Sequence, residues 1–109
     1  MRARPVVIKA PLPCVVAGIV RCYRGLCLSV RDPPQWLRER LDAAREYTVY
    51  FAVRNKLYEV RGRRVRLPLR DCYYIYPRGF TQHVLRRLRA EGYLAVCLAG
   101  VEPAGQDSG

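Results

Sequence analysis

The amino-acid sequence predicts an α+β domain: an antiparallel sheet of four to six strands with two helices packed on one face. Three observations lead there. Residues 47–76 alternate apolar and polar side chains in runs of strand length, with Asn55 and Gly62 at turns. Two further segments, 33–45 and 82–91, repeat apolar residues at helical spacing. Short apolar runs rich in β-branched residues lie outside them, CVVAGIV at 14–20 and YLAVCLAG at 93–100.

Residues 1–13 read as an arm. Three prolines exclude a helix there, and VVIKA has the composition of an edge strand. Residues 14–21 and 26–30 form a hairpin through Arg24-Gly25. CVVAGIV is apolar on both parities, which suits a central strand or a subunit interface. Asp32 is placed to cap a helix whose first residue is Pro33. In that helix Leu37, Leu41 and Ala44 form the buried stripe and Trp36 stands at its edge. Arg38–Asp42 and Asp42–Arg45 are spaced to pair.

In the central segment Tyr47, Val49, Phe51 and Val53 share one face, and Thr48, Tyr50, Ala52 and Arg54 the other. Asn55-Lys56 turns into LYEV, and Arg61-Gly62-Arg63 turns into a strand at 64–70. There Val65, Leu67 and Leu69 oppose Arg64, Arg66, Pro68 and Arg70; in CYYIY, Tyr73 and Ile75 oppose Tyr74 and Tyr76. Thr81 is the expected cap of the second helix, with Phe80 as a hydrophobic staple and Val84, Leu85 and Leu88 inward. Gly92 ends it as a left-handed cap, and 93–100 is a last strand. The single domain spans 14–101, and 102–109 has the composition of a disordered tail.

The chain has 109 residues, with 20 Lys+Arg against 9 Asp+Glu, a net charge of +11 and a pI near 10.0. Only Lys9 and Lys56 are lysines, so the charge is carried by arginine. Guanidinium is planar, weakly hydrated and able to hold phosphate with two donors. Nucleic acid is the first partner this implies, an acidic protein the second. Five cysteines without a C-x-x-C pair, and one histidine, argue against zinc. They read as small buried residues, with one or two disulfides as the alternative; an odd count leaves a thiol free or paired between subunits. Prolines break the one apolar run that could serve as a signal peptide, and no stretch is long enough to span a membrane. A cytoplasmic protein is expected.

Tyr50, Arg54, Arg64, Arg66, Arg70, Tyr74 and Tyr76 form the polar and aromatic side of the central sheet, with Tyr58 on an undetermined face beside them. Rings that stack on bases, next to guanidiniums that neutralise phosphates, suit a single strand gripped without sequence reading. Cross-strand packing, or cover by a second subunit, is the competing explanation. Arg86, Arg87 and Arg89 lie outward on the second helix, where a major-groove contact competes with a simple solvated face. Asparagine and glutamine, the usual readers of adenine, are scarce, so base-specific duplex recognition is disfavoured. No phosphate-binding loop, nucleophile elbow or metal-spaced carboxylate pair occurs. His83, Tyr76 and Lys56 are the residue types of a metal-free RNA-cleaving site, but no spacing ties them together. No enzymatic activity, metal or cofactor is expected.

The segments YTVYFAVRNKLYEV and RRVRLPLRDCYYIYPRGF, with the helix–sheet–helix order and arginine content, resemble the small archaeal proteins related to ThermoDBP, a single-stranded DNA-binding protein of hyperthermophiles. In length the chain is most similar to their short, zipper-less group, over roughly residues 5–101. The resemblance implies an α+β domain that assembles as a homo-oligomer, a dimer or tetramer, and holds single-stranded DNA in clefts between subunits, RNA being the alternative strand. By position it implies Tyr50, Arg54, Arg66, Arg70, Tyr74 and Tyr76 as contacts. ThermoDBP carries a C-terminal coiled coil that nothing after Gly100 matches. Assembly is therefore expected to use the domain's own surfaces, CVVAGIV and YLAVCLAG first.

Overall fold

The computed structural model describes residues 14–22, 24–65 and 72–104. Among them six antiparallel strands and two helices follow in the order β1 (Val15–Cys22), β2 (Gly25–Arg31), α1 (Gln35–Asp42), β3 (Glu46–Val53), β4 (Lys56–Val65), β5 (Cys72–Pro77), α2 (Thr81–Ala90) and β6 (Ala95–Pro103). The class is the α+β one expected. Beyond that expectation, the sheet closes on itself in the order β1-β2-β5-β4-β3-β6. β3, β4 and β5 form a meander, and β6 returns through α2 to lie beside β3. Closure is made by β6 pairing with β1, from Val15↔Leu98 to Gly18↔Ala95.

Alternation explains the core. Ala17 and Ile19 of β1, Leu26, Leu28 and Val30 of β2, Tyr47, Val49, Phe51 and Val53 of β3, Ile75 of β5 and Val96, Leu98 and Val101 of β6 are buried in one cluster. Leu37 and Leu41 of α1 and Leu85 and Leu88 of α2 join the same cluster, so both helices pack against the side of the sheet that faces inward. α1 follows the end of β2. The Tyr47 hydroxyl donates to the carbonyls of Leu41 and Ala44, Tyr73 donates to Asp42 Oδ1 at 2.6 Å, and Arg64 donates to the Leu41 carbonyl at 3.1 Å. These bonds dock α1 over one mouth of the barrel. α2 touches the start of β2 instead, at the opposite mouth.

Several local expectations are corrected. β4 runs unbroken from Lys56 to Val65, so Arg61-Gly62-Arg63 is not a turn. Gly62 is there because of crowding: a Cβ on it would stand 2.8 Å from Ile75 Cγ2. As a result Val65 lies across from Tyr74 on the outer face and Arg64 points to the α1 mouth. The first hairpin turn is Arg54-Asn55, with Val53 paired to Lys56 and Arg54 at a positive φ of 61°. α1 begins at Gln35, two residues later than expected, because Pro34 disfavours a helical Pro33. Asp32 does not cap it; at a φ of 51° its carboxylate meets Arg38 at 3.1 Å instead. Asp42 likewise serves Tyr73 and Arg64 rather than Arg38 or Arg45.

α2 has Phe80 at its N-cap position in place of Thr81, and Phe80 is no staple, being 78% exposed. Gly79, at a φ of 67°, makes the turn that presents it outward. Gly92 ends α2 as expected, with a φ of 99° and the Tyr93 N–H bonded to the Leu88 carbonyl at 2.9 Å. β6 continues to Pro103, so Glu102 and Pro103 belong to the sheet rather than to a tail. Two cysteine pairs, Cys14–Cys97 and Cys22–Cys27, are disulfides and Cys72 is free, which selects the disulfide alternative. The arm at 1–13 and residues 66–71 and 105–109 lie outside the described residues.

Burial pushes the Tyr47 phenol from 10.0 up to about 12, the nearby Arg64 charge opposing the rise. The folded value lies above the unfolded one, so this contribution is complete below about pH 10 and is lost as pH rises toward 12. Urea denaturation at stepped pH is expected to show stability falling across that window, by about 1.4 kcal/mol for each pH unit at most. Tyr47→Phe should flatten this limb while losing about 1 kcal/mol at neutral pH from the missing hydrogen bonds.

Candidate nucleic-acid interface

The structure divides the expected contact residues into two groups. Tyr50 on β3 and Tyr74 and Tyr76 on β5 all stand on the outer side of the barrel, opposite in parity to the core residues of their strands. Tyr76 is paired across to Arg63 and Tyr50 to Glu59. The Tyr50 hydroxyl donates to Glu102 Oε1 at 2.9 Å, and that bond to a carboxylate raises the phenol above its usual range. Tyr74 is outward but only 7% exposed, set between Ser29 and Val65 on the neighbouring strands, and its burial raises its phenol as well.

The second group is engaged elsewhere. Arg54 bonds the Tyr93 hydroxyl at 3.0 Å, forms an ion pair with Glu91 and lies 5.2 Å from the Tyr93 ring centroid. It ties the β3–β4 turn to the segment after α2. Arg64 is held at the α1 mouth by Leu41 and Asp42. Tyr58 faces inward and stacks on Phe51 with centroids 5.0 Å apart. Arg66 and Arg70 lie outside the described residues.

Two exposed arginines take their place on the outer face. Arg63 of β4 stands between Tyr76 on β5 and Glu46 on β3, and Arg61 lies across from Thr48, with Glu59 next on that face of the strand and paired to Tyr50. Read as one strand, 56–65 carries them on the parity of Leu57 and Glu59, so the signal was present in the sequence.

A groove of about 890 Å³ is lined by Arg21, Arg24, Gly25, Arg86 and Arg89, with Cys22, Leu26 and Ala90. Two arginines come from the β1–β2 hairpin and two from α2. On α2, Gln82, Arg86 and Arg89 follow at i, i+4 and i+7 and share a helix face. Gln82 fixes that face against the hairpin. Its amide accepts from the Leu26 N–H at 2.9 Å and donates to the carbonyls of Leu26 at 2.9 Å and Pro77 at 2.7 Å. Gly25 makes the approach possible, since a Cβ there would fall 2.5 Å from Gln82 Oε1. The Cys22–Cys27 disulfide braces the hairpin beside it. No carboxylate lines the groove, and none of its four arginines is in an ion pair among the described residues.

Groove and outer face adjoin. A Cβ on Gly25, part of the groove wall, would lie 3.7 Å from Tyr76 Cε1. Arg21, Arg24, Arg86 and Arg89 therefore lead through Tyr76 to Arg63 and Arg61. The chemistry of such a surface is anion binding with adjacent ring stacking. Among the described residues no group of three His, Cys, Asp or Glu side chains could hold a metal ion, and no helix is long and apolar enough to cross a membrane. No protein-family model, curated protein or solved structure matches the chain.

Four like charges held in one groove should be stabilised by a multivalent anion. Tripolyphosphate is expected to raise Tm by roughly 4–8 °C for each kcal/mol of linkage. Differential scanning fluorimetry should show most of that rise lost in Arg86→Ala/Arg89→Ala. It should be kept in Arg54→Ala, although that variant starts from a lower Tm.

Proposed function

We propose that the chain is a cytoplasmic, non-enzymatic protein that binds single-stranded DNA, with the Arg21/Arg24/Arg86/Arg89 groove seating phosphates and the outer tyrosines stacking bases. One observation carries this reading: four arginines from two distant segments converge with no carboxylate among the described residues to neutralise them. The adjoining Tyr76, Arg63 and Arg61 supply a ring and charge beside it, and Tyr50 lies farther along the same face, beyond Glu59. Among the described residues no asparagine or glutamine lines the groove, which suits a grip on backbone and ring faces rather than on base edges. The disulfides fit an intracellular protein of a hyperthermophile, where such bonds persist.

The same proposal includes a homo-oligomer. Val16 on β1 is 67% exposed and Leu94, just before β6, is 60% exposed, an apolar pair on the two segments expected to make subunit contacts. Light scattering should report an assembly larger than one chain that Leu94→Glu reduces to monomers with the fold intact.

Fluorescence anisotropy with oligo-dT, a matched duplex and a matched RNA tests the function itself. Affinity for oligo-dT should exceed that for duplex and fall linearly in log–log salt plots. Arg86→Ala/Arg89→Ala should lower the slope by about 1.4, roughly 0.7 for each lost single-strand phosphate contact. Tyr76→Ala should weaken binding by about 1–3 kcal/mol with little change of slope. Tighter binding to duplex or RNA would replace the single-stranded DNA assignment. Absence of binding at low salt would leave an acidic protein as the partner of the groove.

A further inference from the structure

A second, smaller cleft of about 360 Å³ lies away from the arginine groove, between α1 and the outer side of β3 and β6. Trp36, Arg40, Tyr50, Gly100 and Glu102 define its chemistry. Trp36 and Arg40 stand one turn apart on α1, at i and i+4, so both reach the same side. Tyr50 pairs across to Gly100, and because Gly100 has no side chain the Tyr50 ring can lean toward Glu102, two residues along β6. The strand is irregular here: Tyr50 pairs with Gly100 but Phe51 with Leu98, which leaves Ala99 as a bulge.

Gly100 is the informative residue. Its φ is not in the left-handed region, so the backbone does not require glycine, and a Cβ built on it would meet nothing within 4 Å. The missing side chain keeps the floor of the cleft open rather than relieving a clash. A strand-interior glycine of this kind marks a place where a ligand can come close to the backbone. Around that floor are two aromatic side chains from different elements and one arginine that makes no ion pair among the described residues. Glu102 has one oxygen bound to Tyr50, and its second has no partner among the described residues.

We infer that this cleft seats a single nucleobase carrying an amino group on its pairing edge. The ring stacks on Trp36 and Tyr50, the amino group donates to Glu102, and the flanking phosphate meets Arg40. The inference rests on the nucleic-acid reading proposed above and adds a selective position to an otherwise tolerant track. Thymine and uracil carry a carbonyl where cytosine carries its amine, and a carboxylate repels that carbonyl while accepting from the amine.

Trp36 is the sole tryptophan, so its emission reports this cleft and no other. Oligo-dC and oligo-dT of equal length, titrated with anisotropy for binding and tryptophan emission for the cleft, make the test. Oligo-dC is expected to quench Trp36 and to bind about fivefold more tightly than oligo-dT, the low end of what one base-edge contact supplies. Glu102→Leu should tighten both by removing a negative charge and bring their ratio close to one. Gly100→Val, which fills the floor without a clash, should abolish the quenching and lower oligo-dC affinity to that of oligo-dT. Binding by anisotropy with unchanged Trp36 emission, or with equal affinities for the two oligonucleotides, would overturn the inference and leave the proposed function standing. Failure of both oligonucleotides to bind would remove the two together.

Discussion

Closure of the sheet is the constraint on which everything else in this molecule depends. Once β6 pairs with both β3 and β1, each strand has an inside, and alternation assigns every side chain to the core or the exterior. Leu28, Val49, Phe51, Ile75 and Leu98 fill the interior with no exposure. The two helices then have one useful place each, a mouth of the barrel, and each brings a leucine pair to it. Both candidate sites lie outside this core, one where α2 meets the β1–β2 hairpin and one between α1 and the outer side of β3 and β6.

Much of this was legible from residue order alone. The alternation of YTVYFAV put Tyr47, Val49, Phe51 and Val53 inside and Tyr50 outside, and CYYIY put Ile75 inside and Tyr74 and Tyr76 outside. The misread places share a physical cause, in that the meaning of a residue was set by a partner far along the chain. Gly62 resembles a turn glycine until Ile75, on the next strand, is seen to occupy its Cβ space. Arg54 and Arg64 have the parity or composition of surface contacts, but Glu91 and Asp42 claim them. Pro34 was different, because the helix boundary it sets follows from a local rule that the preceding Asp32-Pro33 signal obscured. The arginine groove could not be read from the sequence, since it requires Leu26 and Gln82, 56 residues apart, to meet.

The sorting of the arginines by the few carboxylates gives the surface its meaning. Asp32, Asp42, Glu46 and Glu91 each sit within ion-pair distance of one guanidinium, Arg38, Arg64, Arg78 and Arg54 respectively. Exposed pairs of this kind contribute little to stability, about 0–1 kcal/mol. Their larger effect is on where positive charge remains. Among the described residues it remains on Arg21, Arg24, Arg86 and Arg89 in one groove, on Arg61 and Arg63 of the outer face, and on Arg31, Arg40, Arg45, Lys56 and Arg87 elsewhere on the surface. A strongly basic composition spreads charge over much of the surface; what the fold adds is one groove where four arginines meet.

Concentrating like charges is unfavourable in the free protein, and the groove contains the means of enduring it. Guanidiniums on a mobile hairpin would move apart and meet only when an anion drew them together, at a cost in ordering entropy. Here the hairpin is cross-linked by Cys22–Cys27 and held to α2 by a buried amide that makes three bonds to backbone groups. Breaking that clamp would strand the Leu26 N–H and the Leu26 and Pro77 carbonyls, and unpaired buried groups cost about 1–3 kcal/mol each. Repulsion among four solvated arginines at high dielectric is of smaller order. The clamp therefore wins, and the arginines stay convergent before any ligand arrives. Preorganisation of this sort places the electrostatic strain in the unbound state, where the phosphate of the proposed function would relieve it. That is the physical ground for proposing the groove as an anion site rather than as the incidental meeting of two basic segments.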